Sequence, residues 1–329
     1  MKQQNFETLY QQDWQQMEDA LLLCERKSWR PWQAKNLNSE LPGLYRRICH
    51  HLSLAQERRY SSYLVGRLNN LVLRGHQQLY QRQSHFLHQL IKFVVYTFPH
   101  QVRQNSAYFW LASIIFYGPA LVLYLLVSVQ PELIYSVFAP EQVSQFESMY
   151  DPTSAHFGQD REARSDLQMF GFYIQNNITV GFQTFATGLF AGLGSLFYLF
   201  YNGIVIGAVA AHLVNIDYHS TFFPFVIGHG SFELTAIVIA GAGGLMLGHS
   251  LISPGQYTRT DALKRAALKA LNLLYGVILM LLMAAFLEAF WSSNSALPAL
   301  VKYAIGTVLW LAIFGYFTFA GKTSNSGRQ

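Results

Sequence analysis

FFPFVIGHGSFELTAIVIAGAGGLMLGHS, residues 222–250, is almost wholly apolar, yet it holds His229, Glu233, His249 and six glycines. A soluble core helix is neither so apolar nor so glycine-rich, and such a stretch reads as membrane-embedded. A passive lipid anchor has no use for His229 and Glu233 one helical turn apart. Ionisable groups at membrane depth are costly and call for a reason.

Pro224 and Gly228 interrupt the apolar run. The piece TFFPFVIGHG, residues 221–230, is too short to span and too apolar for water, so it is expected to dip into the outer leaflet. The span proper then starts near Gly230. With Gly230 as N-cap, Glu233 stands at the third helical position, where a carboxylate is favoured by the helix dipole and reaches free amides. Two readings follow. In one, the pair caps a helix. In the other, it is a proton relay, an ion site or half a metal site. Two ligands are too few for a metal centre. His249 is sixteen residues from Glu233, about 24 Å along one helix, and cannot complete the site through that helix.

The rest of the chain fits a membrane protein. Of 329 residues, 51% are hydrophobic and 12% charged, against about 25% charged in ordinary soluble domains. Fourteen of the 23 lysines and arginines precede residue 107. That basic excess marks a cytoplasmic segment facing anionic lipid, and nucleic acid is not an expected partner. Cys24 and Cys49 are too few for a disulfide framework and read as free thiols. MKQQNFETLYQQDWQQMEDALL carries no apolar signal core, so the first span is expected to direct insertion.

Residues 1–83 read as a cytoplasmic helical region. Phe6, Leu9, Tyr10, Trp14, Met17 and Leu21 form one helical stripe, Leu41, Leu44, Tyr45, Ile48 and Leu52 a second, and Tyr60, Leu64, Leu68, Leu71 and Val72 a third. SWRPWQAKNLNSELPG, with two prolines and a glycine, is expected to break the pattern between the first two. Residues 84–106 predict an interfacial amphipathic helix, ended or kinked by Pro99. Residues 107–320 form the membrane domain, with about six spans at 107–129, 170–192, 195–215, 231–252, 271–291 and 299–320. Gly118 and Pro119 are expected to kink the first. An acidic external segment, 130–169, carries seven acids, and residues 321–329 make a polar cytoplasmic tail. The fold class is an all-α polytopic membrane protein. With both termini cytoplasmic, 20 of the 23 basic side chains lie inside, as the positive-inside rule demands.

Further polar groups sit at membrane depth. Asn176 and Asn177 open the second span, Asn202 the third, and His212 closes the third. Glu288 lies near the outer end of the fifth, where His212, His229 or Lys302 are its expected partners. GLFAG (Gly188, Gly192), GIVIG (Gly203, Gly207) and GLMLG (Gly244, Gly248) place small residues four apart in consecutive spans. They predict close packing of spans two, three and four, and small-residue faces of this kind also suit a homodimer.

FETLYQQDWQQMEDALL, LYRRICHHLSLAQ and LNNLVLRGHQQLY, with NNITVGFQTFATGLFAGLGSLFYLFYNGIVIGAV and FVIGHGSFELTAIVIAGAGGLMLG, together resemble the stage II sporulation protein M family of integral membrane proteins. The arrangement His229, Gly230, Glu233 is typical of its membrane core. The resemblance implies a membrane scaffold rather than an enzyme. The long N-terminal region looks like relatives from non-sporulating bacteria, which are often encoded near a MoxR-type ATPase. The expected function is therefore an inner-membrane scaffold or assembly protein of the cell envelope, with no catalytic residue, cofactor or metal. Its expected partners are the bilayer and other envelope proteins. A transporter or channel using His229 and Glu233 is the alternative, and a metal-dependent intramembrane hydrolase a third. No phosphate loop, nucleophile elbow or zinc-protease motif is present.

Overall fold

The computed structural model describes residues 1–25, 31–80, 86–153, 163–294 and 296–322. Asp160, Arg161, Glu162 and the tail beyond Lys322 lie outside the described residues. Of Cys24, Arg164 and Asp166 only the backbone is described. All regular structure among the described residues is helical, in two compact units, residues 1–87 and 88–329.

In the first unit, α1 (Gln3–Glu25), α2 (Pro31–Glu57) and α3 (Ser62–Tyr80) close around one core. Phe6, Trp14, Met17, Leu21, Leu44, Ile48, Leu64, Leu68 and Leu71 are buried in it. These are the three stripes seen in the sequence, and each apolar face is buried by the other two. Leu9 departs from its stripe and is exposed. Of the stretch SWRPWQAKNLNSELPG, expected to break the pattern, residues 28–30 lie outside the described residues, and from Pro31 on it is helical, with Pro42 inside α2. Proline is well suited to a first helical position, and burial of Leu41 and Leu44 holds the helix through Pro42.

At the centre of this core the Trp14 indole donates to His51 Nδ1 at 3.2 Å. An indole nitrogen is only a donor, so His51 accepts and is neutral. Burial pushes the His51 pKa below its ordinary value. The unfolded chain then binds more protons than the folded one wherever pH is below about 6.5. The stabilisation is complete above that pH and is lost as pH falls through the lowered folded value. Hydrogen exchange of the α1–α3 amides, corrected for intrinsic rates, should show weaker protection at pH 5 than at pH 7.5. The difference should shrink in His51→Gln, and equal protection at both pH values would contradict this account.

The second unit opens within α4 (Phe86–Lys92), which a π-helical turn (Phe93–Thr97) and α5 (Phe98–Gln104) follow. Pro99 does not end this helix. Proline has no N–H to give Val95, and the π turn absorbs the defect by passing the Phe98 N–H back to the Phe93 carbonyl. Phe98 and Val102 are buried, and Arg103 donates to the Phe317 carbonyl at 2.8 Å.

Among the described residues, five helices are long and apolar enough to cross a membrane. They are α6 (Ser106–Val129), α10 (Leu193–Asn215), α11 (His219–Ile252), α12 (Arg259–Leu287) with its π-helical extension Glu288–Ser292, and α13 (Ala299–Phe319). α6 is continuous through Gly118 and Pro119. Between α6 and α10 lie α7 (Ile134–Val137), α8 (Pro140–Tyr150) and α9 (Ala163–Ala186). α9, which holds the row of amides, is not among the five. It ends at Ala186 rather than Gly192, because a 3-10 turn (Thr187–Leu189) and left-handed Ala191 and Gly192 reverse the chain. α9 runs antiparallel to α12, with Asn177 near Glu288 and Gly181 near Leu281.

Backbone contacts set the directions of the others. Gly203 and Gly207 of α10 face the carbonyls of Phe116 and Ala120, so α6 and α10 run parallel. Gly188 meets Gly244, and Gly248 meets the Ala191–Gly192 turn. All six of these glycines are buried within the one chain, which leaves none of them to line a contact between copies. Two corrections to the sequence reading follow. GLFAG forms a turn, not a helical groove. GIVIG packs on the first span, not within a cluster of spans two, three and four. The spacing was visible in the sequence, but the partner of each glycine face depends on which helices adjoin.

The largest correction concerns residues 222–250. α11 is one 34-residue helix from His219, with Pro224 inside it. Gly230 caps nothing, no re-entrant break precedes it, and Glu233 lies about four turns in. Pro224 stands in the second turn, where it forfeits a single bond to Ser220. The glycines serve packing: a Cβ on Gly228 would strike the Trp291 ring, and one on Gly241 would strike Leu199.

Candidate polar site inside the membrane unit

α11 places His229 and Glu233 on one face, with Nε2 and Oε2 3.9 Å apart. His229 lies ten residues from the helix start, about 15 Å along its axis, and is buried. Glu288 completes the group from the π-helical turn that ends α12. One ligand atom from each of His229, Glu233 and Glu288 lies within 4.8 Å of the other two. The sequence alone brings two of these ligands onto one helical face and predicts no metal site. The structure supplies a third from a residue 55 positions further along the chain.

Neighbouring elements fix each side chain. Ser292 Oγ is 3.0 Å from His229 Nδ1. The same π-helical turn presents both Glu288 and Ser292, four residues apart on one face, to α11. Asn177 of α9 donates to Glu288 Oε2 at 3.5 Å, and Asn176 donates to Asn177 Oδ1 at 3.3 Å. Lys302 of α13 is buried and donates to the Ser292 carbonyl at 2.7 Å. Phe225 packs edge-on against His229, and Tyr150 of α8 packs against Phe225. Thr221 donates to the Tyr150 carbonyl at 2.6 Å, which ties α8 to α11 beside the site.

Other expected members lie elsewhere. His212 is buried beneath α8, with Nε2 2.8 Å from Glu147 Oε1. It is therefore not a partner of Glu288. Among the described residues no ion pair joins Lys302 to Glu288 either. Asn202 donates to the Tyr198 carbonyl of its own helix at 2.7 Å. His249 lies at the far end of α11 and bonds Tyr108 at 2.5 Å. Ser292 and Lys302 were not read as site residues. Lys302 alone gave a signal, as a buried cation near a span's end.

No curated protein and no solved structure matches the chain. A model described as a domain of unknown function (DUF8413) matches residues 4–81, close to the three-helix unit. The model for stage II sporulation protein M matches residues 106–293, more than half of the chain. Its limits run from the start of α6 to just past the π turn that holds Glu288 and Ser292. The chain belongs to the stage II sporulation protein M family of membrane proteins.

Proposed function

We propose that this protein is an assembly factor of the cell envelope, which recruits other membrane or envelope proteins and performs no chemistry of its own. The observation that carries this reading is the separate three-helix unit, with its own core, joined to a multi-pass membrane unit. Such a module suits protein recruitment. Leu9, Tyr63 and Leu73 are exposed on it, apolar surface that a partner would cover. The distribution of lysine and arginine supports the bacterial inner membrane with both termini cytoplasmic. A MoxR-type ATPase system is the partner class that the family resemblance suggests. Cross-linking in native membranes followed by purification of the full chain tests this. A reproducible set of envelope proteins is expected, and Tyr63→Arg with Leu73→Arg should lose it while still inserting. Repeated recovery of this chain alone would end the proposal.

A second reading, passage of a proton or ion, is favoured by the His229, Glu233 and Glu288 cluster on helices long enough to span a bilayer. Proteoliposome flux should then exceed that of empty vesicles and vanish in Glu233→Gln. Equal flux in the two would remove Glu233 from any transport mechanism.

A further inference from the structure

We propose that His229, Glu233 and Glu288 bind one divalent transition-metal ion, of the zinc or manganese class, inside the membrane unit. The donors come from two helices and converge to within 4.8 Å of one another. Bonds of about 2.0–2.2 Å to a shared ion place tetrahedral ligands about 3.4 Å apart. The 3.9 Å between His229 Nε2 and Glu233 Oε2 is too long for a hydrogen bond and needs only a small closing movement.

Three further observations point the same way. First, Ser292 Oγ holds the other ring nitrogen of His229. With the Nδ1–H donating to this hydroxyl, as metal-bound imidazoles donate to an outer acceptor, Nε2 carries the lone pair that an ion takes. Asn177 similarly orients Glu288. Second, Glu288 and Ser292 lie on a π turn, a rare geometry that is frequent at functional sites. Third, the charges balance. Two neighbouring, partly buried carboxylates in an apolar unit repel, and each is costly to desolvate. A dication neutralises both.

One imidazole and two carboxylates suit zinc, manganese or ferrous iron. The set has too few oxygens for calcium and no thiolate for copper(I). Glu233 keeps a partly exposed side chain, the side from which an ion would enter. This inference rests on the cluster alone and is independent of the assembly role, because a structural ion serves a scaffold as well as a transporter.

The test uses the full chain in nanodiscs, stripped with a chelator and dialysed against Zn2+ or Mn2+. Metal analysis should find about one ion per chain. Glu288→Gln and His229→Gln should lose it while eluting as the same species on size exclusion. Ser292→Ala should keep the ion with about 10- to 100-fold weaker affinity. Zinc-edge absorption of the wild type should show nitrogen and oxygen neighbours with an imidazole signature. Should the substitutions prevent folding, the wild-type spectrum carries the test, and absence of imidazole overturns the proposal. Wild type that binds no more metal than a folded Glu288→Gln variant also overturns it, and protons then neutralise the carboxylates.

Discussion

Gly248→Ala lowers the midpoint of thermal unfolding of the full chain in detergent, while Gly118→Ala leaves it unchanged or raises it slightly. The two glycines are alike in sequence, each within an apolar helix, and differ only in what faces them. A Cβ on Gly248 would fall on the backbone of Ala191 and Gly192. Both walls of that contact are main chain, so no rotamer change relieves the overlap. The Ala191–Gly192 turn is already in the left-handed region, with φ of 52° and 83°. It has little freedom to retreat. Overpacking in a well-packed core costs about 1–3 kcal/mol, and a contact between two backbones belongs at or above the top of that range. At Gly118 nothing lies within 4 Å of the added atom, and alanine gains up to about 1 kcal/mol of helix propensity. Gly188→Ala should match Gly248→Ala, because its Cβ would meet the Gly244 backbone. Equal midpoints for Gly248→Ala and wild type would mean that this seam is not held closed by direct backbone contact.

Trp14→Ala opens the three-helix unit and leaves the membrane unit intact. Trp14 is 1% exposed, touches Phe6 with ring centroids 5.9 Å apart, and donates to His51. The Arg67 guanidinium lies 5.8 Å from its ring centroid, and Arg67 is paired with Glu18. Removing the indole leaves a cavity and an unpaired His51, and truncations of this kind cost about 3–5 kcal/mol. A three-helix core of this size has little stability in reserve. Trypsin cleavage at Arg46, Arg47 and Arg58 should therefore accelerate about 100-fold or more in the native-state regime, where cleavage follows the open population. Sites beyond residue 106 should be cut at the wild-type rate. Leu9→Ala, which removes an exposed side chain, should not change the pattern. Uniform acceleration along the whole chain would show that the units do not unfold separately.

Much of this architecture could be read from hydrophobic pattern alone. The stripes through Phe6, Trp14 and Met17, through Leu44 and Ile48, and through Leu64, Leu68 and Leu71 mark buried faces because helical periodicity is a local property. The apolar runs at 107–129, 195–215, 271–291 and 299–320 are equally local, since the bilayer fixes the length that a span needs. α9 was legible as a helix, though its amides keep it out of the set with spanning hydropathy. Proline and glycine misled. Pro42, Pro99 and Pro224 each mark a weak point in a helix, but whether the helix gives way depends on what packs against it. Gly228 looks like a breaker and is instead the space for the Trp291 ring.

The polar site divides along the same line. His229 and Glu233 stand four residues apart, and helical geometry alone puts them on one face. Of the two readings of the pair, capping fails, because it depends on where α11 begins. Glu288 and Ser292, themselves four residues apart, join them through an antiparallel packing of α11 on α12, which no local pattern encodes. Lys302 reaches the same turn from α13. Local periodicity, charge asymmetry and span length thus follow from the chain's own order of residues, because each involves neighbours within a few turns. Which glycine meets which backbone, which histidine meets which carboxylate and whether a third ligand is present depend on contacts between distant segments. Those are settled by close packing, where a shift of one helix turn changes every partner.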